Sequence, residues 1–198
     1  MGEKGIRAFV AVNLDEPLRG ALAEAQGRLR QVPADVSWTL PGNIHLTLKF
    51  LGEIGERGVE RVGRALEGAA APHAPFTARV GGFGVFPPKG PPRVLWAGMA
   101  EGAEALVSLQ DSVERALAAL GFPREARRFR PHLTLGRVRS PRNAAALAEA
   151  AAALGSGVLG TISVAHIDLM RSQLHPKGSI YTVLRSIPLG APIQTSKG

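Results

Sequence analysis

The tetrapeptide His-Leu-Thr-Leu occurs twice in this chain, at 45–48 and 132–135, an offset of 132 − 45 = 87 residues. It takes up two of only five histidines. Each copy sits inside the same succession of periodicities, and that succession constrains the fold more than any other feature. In the first half, "IRAFVAVNL" alternates apolar and small or polar residues as a strand does. "DEPLRGALAEAQGRLRQV" then changes to helical spacing through Leu18, Leu22, Ala25 and Leu29, with Asp15 as the N-cap and Pro17 in the first turn. "PADVSWTLPGN" reads as a loop with a short strand, and "IHLTLKFLGEI" is the next strand. "GERGVERVGRALEGAAA" is an amphipathic helix through Val59, Val62, Leu66 and Ala69. "FTARVGGFGVFP" is a strand broken by glycines.

The second half repeats this order. "RVLWAGM" is a strand and "GAEALVSLQDSVERALAALG" a helix closed by Gly121. "PHLTLGRVR" is a strand, followed by a helix expected to start with Ser140 as N-cap and Pro141 at its first position. "GVLGTISVAHIDLMRSQL" and "SIYTVLRSIPL" are closing strands, joined by a turn at "HPKG". Two copies of one strand–helix–strand–helix–strand unit imply an α+β protein of two lobes related by an approximate two-fold. Each lobe is expected to be an antiparallel sheet with helices on its outer face, the two sheets facing each other across a cleft. The expected organisation is one bilobal domain over 1–190, with units at roughly 6–87 and 93–187, room for strands to be exchanged between lobes, and a polar tail at 191–198.

In a strand, residues i and i+2 share a face. His45 and Thr47 therefore point one way and Leu46 and Leu48 the other, and His132 with Thr134 repeats the arrangement. With the leucines buried, two imidazoles and two hydroxyls face the cleft. Threonine hydroxyls donate to phosphate oxygens, and a pair of imidazoles supplies one proton acceptor and one donor. That set suits in-line attack of water on a strained cyclic phosphodiester, which needs one acid, one base, no metal and no protein nucleophile. Arg137 points away from the cleft in a regular strand, and a bulge at Gly136 would turn it back.

Composition sharpens this. The net charge of +8 comes from 24 basic against 16 acidic residues, and 19 of the 24 are arginine, whose planar fork suits phosphate. The absence of cysteine rules out disulfides and thiolate chemistry and fits a cytoplasmic protein. No run of 18 apolar residues is present. The start of the chain reads as a strand rather than a signal peptide. Two histidines without a third ligand make a poor zinc site, and neither a Ser-His-Asp series nor a phosphate-binding glycine loop is legible. A monomer is the default expectation.

The sequence resembles the two-histidine phosphoesterase superfamily, and most closely the bacterial and archaeal RNA 2′,3′-cyclic phosphodiesterases long labelled 2′-5′ RNA ligases. Both "HLTL" motifs carry the resemblance, with "VSWTLPGNIHLTLKFLGEI", "FRPHLTLGRV", "LMRSQLHPKGSIYTVL" and "IRAFVAVNL" around them. The resemblance implies hydrolysis of a 2′,3′-cyclic phosphate on RNA to a 2′-phosphate, without metal or cofactor; microscopic reversibility permits the reverse activity, a 2′-5′ ligation, with the same two histidines. It implies His45 as proton donor and His132 as proton acceptor, with Thr47, Thr134 and Arg137 on the phosphate. The symmetry of the motifs does not itself assign acid and base. Phe9 and Phe50 are looser candidates for stacking on a base, while Arg130, Arg171 and Tyr181 are candidates for the cleft wall. His73, His166 and His175 match no motif and read as structural or surface residues. Two other readings share the basic cleft: a non-catalytic RNA-end-binding module, and a phosphodiesterase acting on a small cyclic nucleotide.

Overall fold

The computed structural model describes residues 5–176 and 178–190; the expected tail at 191–198 lies outside them. In chain order the elements are β1 (Ile6–Asn13), α1 (Glu16–Leu29), β2 (Val36–Trp38), a 3₁₀ turn at Pro41–Asn43, β3 (His45–Ile54), α2 (Glu56–Ala70) and β4 (Phe76–Phe86). Then follow β5 (Val94–Glu101), α3 (Ala103–Ala118), β6 (Leu133–Val138), α4 (Ala144–Ala153), β7 (Val158–Val164), β8 (His166–Gln173) and β9 (Ile180–Pro188). No helix among the described residues is long and apolar enough to cross a membrane.

The strands form one curled antiparallel sheet in the order β7-β4-β5-β6-β3-β1-β8-β9, with β2 added on β6. Its middle is thin. β3 and β6 are joined by a single pair, Leu46 opposite Leu133, and this seam divides the path into two four-stranded halves. In each half a motif strand lies against the strand that opens its own repeat, β3 on β1 and β6 on β5. β4 pairs with β5 and β7, whereas β8 pairs with β1 and β9. Helices α2 and α3 pack together behind the β3 half, and α1 and α4 cover the β4 and β7 side.

The local chemistry explains most of these elements. Asp15 caps α1 by accepting a hydrogen bond from the Leu18 backbone N–H at 3.1 Å, which satisfies one of the helix's free donors. Leu46, Leu48, Leu133 and Leu135 are buried at 3% exposure or less, so the leucine face of each motif lies in the core. The last helix departs from expectation. Ser140 and Pro141 precede it in a turn, and α4 starts at Ala144 after Asn143, whose φ of 53° is left-handed. Asparagine tolerates that conformation, and the side chain is held outside the helix by donating from Nδ2 to the Pro33 carbonyl at 2.9 Å.

Candidate active site

Each motif strand carries a bulge at the same place. Along β1–β3, Val10 faces Lys49 and Ala11 faces Thr47, leaving Leu48 without an opposite residue. Along β5–β6, Leu95 faces Gly136 and Trp96 faces Thr134, leaving Leu135 as the extra residue. The two bulges are 135 − 48 = 87 residues apart, the offset of the motifs. A bulge puts two successive side chains on one face and reverses the phase beyond it. Leu48 and Lys49 thus both turn toward the helices. On β6 the same reversal returns Arg137 to the cleft side, as the sequence allowed only if the strand was irregular.

The seam then sets the geometry. Continuing the antiparallel ladder one residue either side of the Leu46–Leu133 pair puts Thr134 opposite His45 and His132 opposite Thr47. In a regular ladder the two histidines stand on one diagonal of that square, about 7–8 Å across, with the threonines on the other. A cleft of ≈ 1030 Å³ opens over this square. It is lined by His45, Thr47, His132, Thr134 and Arg137, with Phe9, Phe50 and Tyr181 beside them. The loop before β6 contributes Arg124, Glu125, Ala126 and Phe129 to the opposite wall.

The imidazoles are held alike. His45 Nδ1 donates to the Asn43 carbonyl at 2.8 Å, and His132 Nδ1 donates to the Arg130 carbonyl at 2.7 Å. A carbonyl only accepts, so Nδ1 carries the proton on both rings and the carbonyl bond does not engage Nε2. Burial lowers the pKa of His45, and the hydrogen bond to Asn43 opposes that in part. Burial also lowers the pKa of His132, opposed by the Arg130 carbonyl and reinforced by the positive charge of Arg137. Arg137 and His132 line the same cleft.

The surroundings differ. The His45 ring packs 4.8 Å from Phe9 and meets the Tyr181 ring edge-on at 5.2 Å. His132 meets Phe86 edge-on at 5.1 Å. Phe9 is 2% exposed and Phe50 is 65% exposed, so Phe9 supports the imidazole while Phe50 offers a free face. Of the arginine candidates, Arg130 is exposed and serves through its carbonyl; its side chain does not line the cleft. Arg171 stands in β8 between Ala8 and Thr182 and is likewise absent from the lining. His73 bonds Ser112 Oγ at 2.9 Å, and His166 lies 3.5 Å from Asp168. Among the described residues no cluster of three His, Asp or Glu side chains forms a metal-binding group.

Sequence reading missed Asn43, Phe86 and the Lys49–Glu114 ion pair at 2.8 Å, which is 6% exposed on both sides. Lys49 also donates to the Pro123 carbonyl at 2.8 Å, tying the bulge in β3 to the loop that leads to His132.

The family model for LigT-like phosphoesterases matches residues 12–96 and again 98–181. The chain belongs to the LigT-like phosphoesterase family. Among curated relatives, the RNA 2′,3′-cyclic phosphodiesterase of Methanothermobacter thermautotrophicus is 40% identical over 177 residues, covering 89% of this chain and 95% of that protein. The RNA 2′,3′-cyclic phosphodiesterase of Archaeoglobus fulgidus is 38% identical over 180 residues, covering 91% and 98%. Among solved structures, TT0787 of Thermus thermophilus superposes with a TM-score of 0.76 at 34% identity, covering 93% of this chain and 98% of that one. The structure of Escherichia coli LigT complexed with 3′-AMP has a TM-score of 0.70 at 23% identity, covering 96% and 100%; it bears on the fold. The LigT-like fold therefore extends over nearly all of the chain.

Proposed function

We propose that this LigT-like protein hydrolyses the 2′,3′-cyclic phosphate at an RNA end to a 2′-phosphate, using His45 and His132 as a general acid–base pair. The observation that carries the reading is that two imidazoles line one cleft, each with Nδ1 bonded to a carbonyl two residues before it. The names and identities of the relatives support the substrate. So does the loop before β6, where Arg127 and Arg128 are exposed.

In the step proposed, His132 Nε2 takes a proton from water, the oxygen attacks phosphorus in line, and the P–O3′ bond breaks. His45 Nε2 delivers its proton to O3′, leaving a 2′-phosphate and a free 3′-hydroxyl. Thr47 and Thr134 donate hydroxyl bonds to the non-bridging oxygens, and Arg137 holds them through its guanidinium. Each positioned proton transfer is worth roughly 10²- to 10⁴-fold in rate. Burial disfavours the protonated His45 in the free enzyme, and the bound phosphate anion restores it. Ligation uses the same two groups: a 5′-hydroxyl attacks in place of water and gives a 2′-5′ bond, while ~55 M water favours hydrolysis. The proposal extends to a single bilobal domain over 1–190, built from units at roughly 6–87 and 93–187 that exchange β4 for β8 and β9 between the two half-sheets, working as a cytoplasmic monomer without cofactor.

The test is incubation of the purified protein with RNA bearing a 2′,3′-cyclic phosphate, in EDTA, with identification of the product. A 2′-phosphate end at a rate unaffected by chelator is expected. Intact substrate would leave a binding module, and turnover only of mononucleotides would move the substrate to small cyclic nucleotides.

A further inference from the structure

Directly opposite residues on neighbouring strands share a face, so the cleft side of each half-sheet can be followed outward from its motif threonine. In the β3 half the row runs Thr47, Ala11, Asp168, Ser186 across β3, β1, β8 and β9. In the β6 half the equivalent row is Thr134, Trp96, Gly84 across β6, β5 and β4. Trp96 lies flat over Gly84: a Cβ on that glycine would stand 2.4 Å from the indole, and one on Gly98 would stand 3.0 Å from it. The indole fills the second half-site. In the first half Ala11 is covered by Phe9, Met170 and Tyr181, and the open space lies one strand further out, at Asp168.

The opening is a cavity of ≈ 460 Å³ that shares His45, Asn43 and Tyr181 with the catalytic cleft. Asp168 forms its floor and is 2% exposed. Asp168 Oδ2 accepts from Asn13 Nδ2 at 2.7 Å and lies 3.5 Å from His166 Nε2, but no donor among the described residues reaches Oδ1. Asp168 lines a cavity that a ligand can enter, so a carboxylate oxygen facing it can accept a hydrogen bond from that ligand. Tyr181, Met170 and Val183 give that cavity apolar sides. Two strand spacings separate Thr47 from Asp168, roughly 10 Å, the span of a ribose with a pyrimidine.

We propose that this cavity receives the base of the terminal nucleotide, and that Asp168 selects bases whose Watson–Crick edge offers an amino group: cytosine, adenine or guanine over uracil. The proposal rests on the cyclic phosphodiesterase reading and adds a base preference to it. It also places the nucleoside on the His45 side, where the departing ribose oxygen must be if His45 protonates it. Uracil presents O4 where cytosine presents an amino group, and an oxygen facing a buried carboxylate repels it. A site built around one hydrogen bond discriminates strongly against a substrate that cannot make it.

The experiment compares kcat/KM for cytidine and uridine 2′,3′-cyclic phosphates, which differ only at that edge. A preference for cytidine of about tenfold or more is expected. In Asp168→Asn the amide offers a donor to O4, and the preference falls toward one or inverts. A ratio near one in the unaltered protein overturns the proposal, as does a variant that slows both substrates by the same factor. The comparison in the unaltered protein needs no variant to fold. Should neither nucleotide be turned over, the catalytic reading fails instead, and equilibrium binding of cytidine 2′-phosphate against uridine 2′-phosphate still decides the base preference: equal affinity refutes it.

Discussion

The His45 and His132 half-sites share a strand, a bulge one residue after the threonine, and a carbonyl two residues before the imidazole. They differ in what fills the next shell of space. Around His45 the neighbours are Phe9, Tyr181 and an open polar cavity. Around His132 they are Phe86, the indole of Trp96 against Phe86, and the cation Arg137. Beyond the bulge, Lys49 in one half corresponds to Gly136 in the other. Duplication accounts for two imidazoles held in the same way. Under the proposed reaction, these differences would let an asymmetric substrate, a phosphate with a nucleoside on one side and water on the other, bind in one orientation.

The largest effects belong to the shared part. His45→Ala and His132→Ala should each lower kcat on a 2′,3′-cyclic RNA end by roughly 10²- to 10⁴-fold, with circular dichroism unchanged, because neither ring supports the core. Equal loss from both sites is the signature of a pair that acts together. A variant that retained turnover would break the symmetry of function and leave a single-histidine mechanism.

Lys49 tests the asymmetric part. Its ammonium is buried against Glu114 Oε2 and the Pro123 carbonyl, and Glu114 also accepts from Gln110 Nε2 at 3.2 Å and from the Glu125 backbone N–H at 3.3 Å. Glu114→Ala strands the cation, at a cost of about 3–5 kcal/mol of stability, read from urea unfolding. Lys49→Met with Glu114→Leu, which removes both charges, should recover most of it. Loss of the β6 loop's position would then appear as a higher KM for RNA in the double variant, since Pro123 and Glu125 lose their anchor.

The parts of this site that were legible in the sequence are the parts governed by local periodicity. The alternation of His-Leu-Thr-Leu places leucines inward and His/Thr outward within four residues, and Asp15 with Leu18 announces α1. The glycines of "VGGFG" mark β4, whose register against β5 shifts between Val80 and Phe83. What was hidden depends on contacts distant in sequence. Lys49 and Glu114 lie 65 residues apart and Asn13 and Asp168 lie 155 apart. Asp168 inside "HIDLM" reads as one polar residue in an apolar strand, and only the folded chain shows that it lines a cavity beside His45. Ser140 and Pro141 had the chemistry of a helix start, but the Asn143–Pro33 bond holds the chain in a turn and delays α4 to Ala144.

Arg137 gives the smallest and most selective test of the comparison, because its charge reaches one histidine and not the other. Both rings have pKa values below the ordinary 6.5 of histidine, and for His132 the guanidinium contributes to that lowering after burial. With His132 as base, kcat/KM is lost as the pH falls through its pKa; with His45 as acid, it is lost as the pH rises through that of His45. Arg137→Ala removes the positive neighbour, so the pKa of His132 rises and the acid limb of the rate profile moves to higher pH while the alkaline limb stays in place. The same sign governs stability. A histidine whose pKa is depressed by folding contributes stability that is present above 6.5 and is lost as the pH falls through its folded-state value. Unfolding of Arg137→Ala should therefore be less acid-sensitive than that of the unaltered chain. A shift of the alkaline limb instead would exchange the roles of the two histidines, and movement of both limbs together would mean that the pair titrates as one coupled unit.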